Sequence, residues 1–319
     1  SGACAPEQIS DTVTLTVHER PEITAQPVDV TICEGDSTLF GISAGVTTSP
    51  VYTWKYFDGG MWQTATGGFF AGEDTDTLLL EGVPAIWTGT QFMAIVSNLC
   101  GPTDTSMVAN LTVNERPEIT GQPVSRTTCE GISTSFTVNA GVTTSPGYQW
   151  QVHSGVMWMP VTGASYSGQG TPTLNILSPS SFLDGNAYRV LVSGACDTAV
   201  VSDSVTLTVH ENAEISQQPS DAAICENGDT VFRVNTGETT NPSYQWYYSD
   251  GTGGWQEVTA DGIHTGFLTS ELSLSNVPFS MDDRQYMVEV SGDCGPMVAS
   301  DAADLVVHKL PEIVQQPGD

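Results

Sequence analysis

Basic residues are scarce in this 319-residue chain: eight Lys and Arg stand against 37 Asp and Glu, for a net charge of -29. Such a surface repels phosphates and anionic headgroups, which argues against nucleic acid partners and against direct membrane insertion. Lys55 and Lys309 are the only lysines, so a lysine-based self-crosslink in every repeat cannot form. No apolar run approaches the roughly 18 residues of a membrane helix. Helical stripes are missing, as is the close Cys-x-x-Cys spacing of zinc and redox sites. No Ser-His-Asp or Cys-His arrangement recurs, and there is no phosphate-cradling glycine loop. These absences predict no enzyme, no cofactor and no metal site.

What the chain does have is a period. Arg20-Pro-Glu-Ile-Thr-Ala-Gln-Pro27 returns 96 residues later as Arg116-Pro-Glu-Ile-Thr-Gly-Gln-Pro123, then as Asn212-Ala-Glu-Ile-Ser-Gln-Gln-Pro219. Leu310-Pro-Glu-Ile-Val-Gln-Gln-Pro317 begins a further copy. The expected modules are 20–115, 116–211 and 212–309, flanked by the last strand of another module (1–19) and the start of one more (310–319). The chain is therefore expected to be a segment of a longer polypeptide. About 96 residues is enough for one core.

Within the second module, Thr134–Val138, Tyr148–Trp150, Leu174 with Ile176, Tyr188–Val192 and Ser204–Val209 are period-two runs separated by Gly, Pro, Ser and Asn. Such short strands predict an all-β antiparallel sandwich. Seven cysteines, at 4, 33, 100, 129, 196, 225 and 294, fall two to each whole module at matching places, a disulfide framework suited to an oxidising compartment.

These residues resemble the immunoglobulin-like sandwich. Trp54, Trp150 and Trp246 follow Ile42, Val138 and Val234 at nearly the spacing of the third-strand tryptophan behind the second-strand cysteine. Asp184-Gly-Asn-Ala-Tyr188 resembles a tyrosine corner, Tyr286 matches it, and Phe92 departs from it. The usual core disulfide positions are apolar: Ile42 with Ala94, Val138 with Val190, Val234 with Val288. Trp62, Trp158 and Trp255 recur and are read as packing residues on the following strand, with glycan stacking as the alternative. With Cys33-Glu-Gly-Asp, Tyr148-Gln-Trp150 and Val192-Ser-Gly-Ala-Cys196, the chain resembles the tandem immunoglobulin-like repeats of large Bacteroidota surface and adhesion proteins, many of them type IX-secreted and gliding-adhesin-like. That resemblance implies an elongated rod and an extracellular, cell-surface or surface-filament location. Its partners would be neighbouring immunoglobulin-like repeats of the same long chain, with self-association into filaments.

By the same template, Cys33, Cys129 and Cys225 lie at the module end facing the next repeat. Cys100, Cys196 and Cys294 lie in the loop at the opposite end, roughly 30 Å away for a strand of about ten residues. A disulfide spans at most about 7 Å between Cα atoms. That favours bonds between neighbouring modules, Cys33 with Cys196 and Cys129 with Cys294. The in-module set, Cys33 with Cys100, Cys129 with Cys196 and Cys225 with Cys294, has the simpler spacing and stands if the template fails at one end. Either set carries tension through short paths and past most of each fold. The linker Val17-His-Glu-Arg-Pro-Glu-Ile23 has no Gly or Ser slack, which predicts stiffness.

His18, Asn114, His210 and His308 share one junction place, and the Asn argues against a metal site. Acidic clusters such as Glu73-Asp-Thr-Asp76 lack a calcium-loop pattern. Asp-Thr/Ser-apolar triplets mark Thr12, Thr77, Thr198, Ser204 and Thr230, which match the O-glycosylation signal of exported Bacteroidota proteins, although Thr-rich strands produce such triplets by composition. The leading expectation is a disulfide-stiffened stalk or filament segment of a secreted adhesin that displays a distal adhesive region. The alternatives are a glycan- or protein-binding module acting through its own loops, and spacer domains of a secreted enzyme.

Overall fold

A computed structural model describes residues 8–153 and 155–313. The first module contributes β1 (Val30–Cys33), β2 (Thr38–Gly41), β3 (Val51–Phe57), β4 (Trp62–Thr64), β5 (Phe70–Ala71), β6 (Thr77–Leu80), β7 (Gln91–Ser97), β8 (Asp104–Thr105) and β9 (Ala109–Asn114). The second repeats them as β10 (Arg126–Cys129), β11 (Thr134–Thr137), β12 (Gly147–His153), β13 (Trp158–Pro160), β14 (Tyr166–Ser167), β15 (Thr173–Ile176), β16 (Ala187–Ser193), β17 (Val200–Val201) and β18 (Val205–His210). The third has β19 (Ala222–Cys225), β20 (Thr230–Arg233), β21 (Ser243–Ser249), β22 (Gln256–Glu257), β23 (His264–Thr265), β24 (Glu271–Leu274), β25 (Arg284–Ser291), β26 (Val298–Ala299) and β27 (Ala303–His308). Helical structure among the described residues is confined to the short 3-10 turns Ala85–Trp87, Ser181–Leu183 and Phe279–Met281.

Each module is two sheets face to face. In the first, β1-β9-β7-β3-β4, with β8 on β7, covers β2-β6-β5; the other modules repeat both orders. This is the immunoglobulin-like arrangement. Proline explains how the opening segment serves both sheets. Before Pro27, Pro123 and Pro219 the chain bridges the second strand through Ala25–Ser43, Gly121–Asn139 and Gln217–Asn235. Proline lacks an N–H to continue that ladder. Beyond it the chain pairs in parallel with the last strand of the other sheet, Cys33 facing Asn114, Cys129 facing His210 and Cys225 facing His308.

Alternation sets the core. Along β7, Phe92, Ala94 and Val96 are buried while their neighbours are only partly covered. Trp54, Trp150 and Trp246 are fully enclosed, and each indole N–H donates to a carbonyl of the turn opposite: Thr75 at 3.0 Å, Thr171 at 3.0 Å and Thr269 at 2.9 Å. That bond lets a large polar-edged ring be buried without an orphaned donor. The apolar pairs Ile42 with Ala94, Val138 with Val190 and Val234 with Val288 are all buried.

Two sequence readings need correction. The Tyr188 hydroxyl meets Tyr166 Oη at 3.0 Å and the Tyr286 hydroxyl meets His264 Nε2 at 3.0 Å, so neither makes a tyrosine corner's bond to upstream backbone. The strand carrying residue 166 or 264 lies in the facing sheet and brings a polar group within reach first. In the first module the same places hold Phe70 and Phe92, 6.3 Å apart edge to face, and no polar pair is needed. Of the outer tryptophans, Trp62 and Trp158 pack on the following strand as expected and Trp255 departs. Trp62 lies half-buried against Phe57 and Trp158 lies under Arg189, but Trp255 is 40% exposed just ahead of β22.

The first compact unit holds the first sandwich together with the loop end of the second, residues 140–147 and 192–200. The second unit holds the rest of the second sandwich and the third.

Candidate functional site: the cysteine-braced junctions

The residues that recur most faithfully converge where one module ends and the next begins. In the first unit Cys33, the last residue of β1, is bonded to Cys196 in the loop after β16, with Cα atoms 5.8 Å apart. In the second, Cys129 at the end of β10 is bonded to Cys294 after β25, at 5.6 Å. The in-module set is not formed. Cys196 also lies against Asn114, the residue opposite Cys33, with its sulfur 3.7 Å from the Asn114 carbonyl. Cys100 and Cys225 are unbonded. Cys4 lies outside the described residues.

The loop read only as a turn, Val142-Thr-Thr-Ser-Pro146 with its copies, seats the linker. Thr48, Thr144 and Thr240 accept the N–H of Glu19, Glu115 and Glu211 at 2.9, 2.8 and 2.8 Å. The preceding threonines, Thr47, Thr143 and Thr239, accept the N–H of Glu22, Glu118 and Glu214 at 3.1, 3.0 and 3.0 Å. Each of these threonines also donates to the carbonyl three residues back, which fixes its rotamer. Two hydroxyls therefore hold both sides of the linker bend, wherever its prolines remove donors. The signal was present in the sequence as a Thr-Thr pair at the same place in all three copies.

Charged contacts around the bonds differ between junctions. Arg116 donates through Nε to the Glu34 carbonyl at 2.7 Å, through Nη2 to Asp36 at 2.6 Å, and through Nη1 to Asp197. The Asp197 bond, then the charges of Asp197 and Asp36, hold the guanidinium pKa above its ordinary value. All three side chains are over two-fifths exposed, so solvent screens the ion pairs and they add little. At the second junction, where Asn212 replaces Arg116, His210 Nδ1 lies 3.2 Å from Asp293, and Ala213 N–H donates to the Cys294 carbonyl at 3.1 Å. The disulfide and the threonine clamp are the common elements.

The remaining candidate residues lie apart. Thr12, Thr198 and Ser204 are exposed, whereas Thr77 and Thr230 are partly covered within β6 and β20. Among the described residues no group of three or more His, Cys, Asp or Glu could hold a metal ion. No helix among them is long and apolar enough to cross a membrane.

No family model matches the chain. A three-domain fragment of titin, I67–I69, superposes with a TM-score of 0.66 at 19% identity, covering 91% of this chain and 99% of that one. Endoglucanase C of Cellulomonas fimi is 31% identical over 143 residues, 44% of this chain and 12% of the relative. Human hemicentin-1 is 24% identical over 238 residues, 73% of this chain and 4% of the relative. The chain thus spans a small part of the curated relatives it matches. Its fold is three immunoglobulin-like sandwiches in tandem, with two disulfides.

Proposed function

We propose that this chain is a structural repeat segment, a stalk or filament piece of a secreted bacterial surface adhesin that holds a distal adhesive region away from the cell. The carrying observation is the placement of both disulfides across module junctions, not within sandwiches. Bonds so placed take tension out of the folded cores. Disulfides also favour an oxidising, extracellular setting. The stretch shared with an endoglucanase supports the related reading of spacer modules beside a catalytic domain.

Force spectroscopy tests the mechanical part. The two bonds interleave, so the shortest covalent path from Cys33 to Cys294 crosses to Cys196, runs back to Cys129 and crosses again, leaving out 194 residues. At ~3.5 Å each, the reduced chain should extend roughly 680 Å further than the oxidised one. Equal extensions would remove the structural reading. Antibody to these modules should label intact cells that make the protein; labelling only after lysis would overturn the surface placement.

One observation favours a second reading, direct glycan binding. Tyr56, Phe69, Phe70 and Trp87 form an aromatic cluster found in the first module alone, beside a surface cavity of about 280 Å³ lined by Tyr56, Asp58, Ile86, Trp87 and Thr90. Neutral oligosaccharides should shift Trp fluorescence in the intact chain and not in Trp87→Leu, which places there the residue type the second module has at Leu183. No response from either would leave the structural reading alone.

A further inference from the structure

Cys225 is exposed and Cys100 partly exposed, and both are unbonded. Their surroundings repeat those of the bonded cysteines. Cys33, Cys129 and Cys225 each end a strand in parallel register with the last strand of their own sandwich. The glutamate after each donates its N–H to the residue opposite the cysteine: Glu34 to Asn114 at 2.9 Å, Glu130 to His210 at 2.9 Å, Glu226 to His308 at 2.8 Å. The backbone that presents Cys33 and Cys129 to their partners thus presents Cys225 as well.

Cys100 stands where Cys196 and Cys294 stand, in the loop after the long strand β7. The clamp beside it is intact, with Glu19 seated on Thr48 as Glu115 is on Thr144 and Glu211 on Thr240. The Asn98 side chain braces this loop further: Nδ2 donates to the Glu19 carbonyl at 2.7 Å, and Oδ1 accepts the Cys100 N–H at 2.8 Å.

Resting on the structural reading above, we propose that Cys225 and Cys100 are open halves of further junctions of the same kind. Cys225 bonds the loop cysteine of another immunoglobulin-like module of this repeat type, and Cys100 bonds the strand-end cysteine of another. The occupant is set by the two internal junctions, where the equivalent residues hold such a module and no other partner. Charge is not what selects it, because the ionic contacts change from Arg116 with Asp36 and Asp197 to His210 with Asp293 while the sulfur pair stays. Bond formation joins two sulfurs and removes two thiol protons and two electrons. A small-molecule disulfide such as oxidised glutathione accepts both and leaves as two thiols.

The test lengthens the chain by whole modules. A second copy of residues 212–309, with its own Cys225 equivalent replaced by Ser, is appended after Lys309, and in a separate protein a second copy of 20–115, with its own Cys100 equivalent replaced by Ser, is inserted before Arg20. Each is oxidised with glutathione, alkylated without reductant and mapped by mass spectrometry beside the unmodified chain. The unmodified chain should carry label on Cys100 and Cys225. Appending should abolish label at Cys225 and yield its peptide linked to the new loop cysteine; inserting should do the same at Cys100 with the new strand-end cysteine. Unchanged labelling of Cys225 and Cys100 in the lengthened proteins, with Cys33–Cys196 and Cys129–Cys294 still linked, overturns this inference and spares the structural reading. Absence of those two links would strike the reading itself.

Discussion

Replacing Cys33 and Cys196 together by Ser should destabilise the first two sandwiches far more than the third. The double change avoids a stray thiol that could exchange with the second bond. The magnitude follows from which loop the bond closes when one sandwich unfolds beside a folded neighbour. Cys33 is fixed opposite Asn114 by β1 and β9, so with the first sandwich folded the loop runs from Asn114 to Cys196, 82 residues. Restricting a loop of that length is worth about 4.5 kcal/mol in the chain-entropy model, of which about half is commonly realised. Each kcal/mol moves the midpoint of a domain this size by about 4–8 °C. The transitions of the first two sandwiches should therefore fall by at least about 10 °C in calorimetry, while the third, still tied through Cys129–Cys294, holds its place. Midpoints within about 2 °C of the parent would refute the argument that the bond restrains both folds.

Arg116→Ala should lower those midpoints by clearly less than the disulfide variant does, because its ion pairs are exposed and screened; a loss matching the disulfide variant in the same scans would reverse the ranking. Tyr286→Phe leaves the buried His264 Nε2 without its partner and should cost the third sandwich about 1–3 kcal/mol in urea unfolding, whereas Tyr188→Phe leaves the half-buried Tyr166 hydroxyl able to find water and should cost less. Burial raises the Asp261 carboxyl, but N–H donors from His264 and Ile263 and the His264 ring outweigh it, so its pKa lies below the ordinary 3.8. The stability it gives is present above that value and is lost as pH falls through the lower folded pKa. Asp261→Asn should flatten that acid limb for the third sandwich, and an unchanged limb would discount the contact. Two glycines inserted between Asn114 and Glu115 should leave Cys33 and Cys196 open to alkylation, while the same pair inserted after Gly251 should leave both bonds intact; equal labelling of the two would remove the need for a taut linker.

Much of the fold could be read in the sequence because immunoglobulin-like strands expose their period. Leu174 and Ile176, or Tyr188, Val190 and Val192, alternate cleanly because one face of each strand is wet and the other is core. What alternation does not reveal is where a polar tip ends. The Tyr188 ring was legible as core, but its hydroxyl partner, Tyr166, comes from a two-residue strand too short to show any period. The clamp was hidden for another reason. Threonines in a Gly-Val-Thr-Thr-Ser-Pro run satisfy the chemistry of an ordinary turn, and only the folded linker shows which donors they receive. Trp255 misled because recurrence of a residue fixes its place in the chain and not its depth: the longer loop before β22 lifts it outward.

The third module is longer, and where it grew says what the junction tolerates. The separation closed by the second bond is 165 residues against 163 for the first, yet the Cα atoms it joins are 5.6 and 5.8 Å apart. The extra length is absorbed between β21 and β23, since Ser249 follows His153 by 96 residues and His264 follows Tyr166 by 98. The added residues fall in the exposed turns before Trp255 and after Val258, where added chain costs little. Core positions have drifted in chemistry as well, from Phe70 with Phe92 to Tyr166 with Tyr188 to His264 with Tyr286. A core needs filled volume and satisfied polar atoms, and several side-chain pairs supply both. A disulfide admits no such exchange: it needs two sulfurs and a Cα separation below about 7 Å. The two threonines that seat the linker recur in all three copies, although the linker itself changes from Arg116-Pro117 to Asn212-Ala213. The proposed structural role rests on that difference in freedom between the sulfur pair and the core.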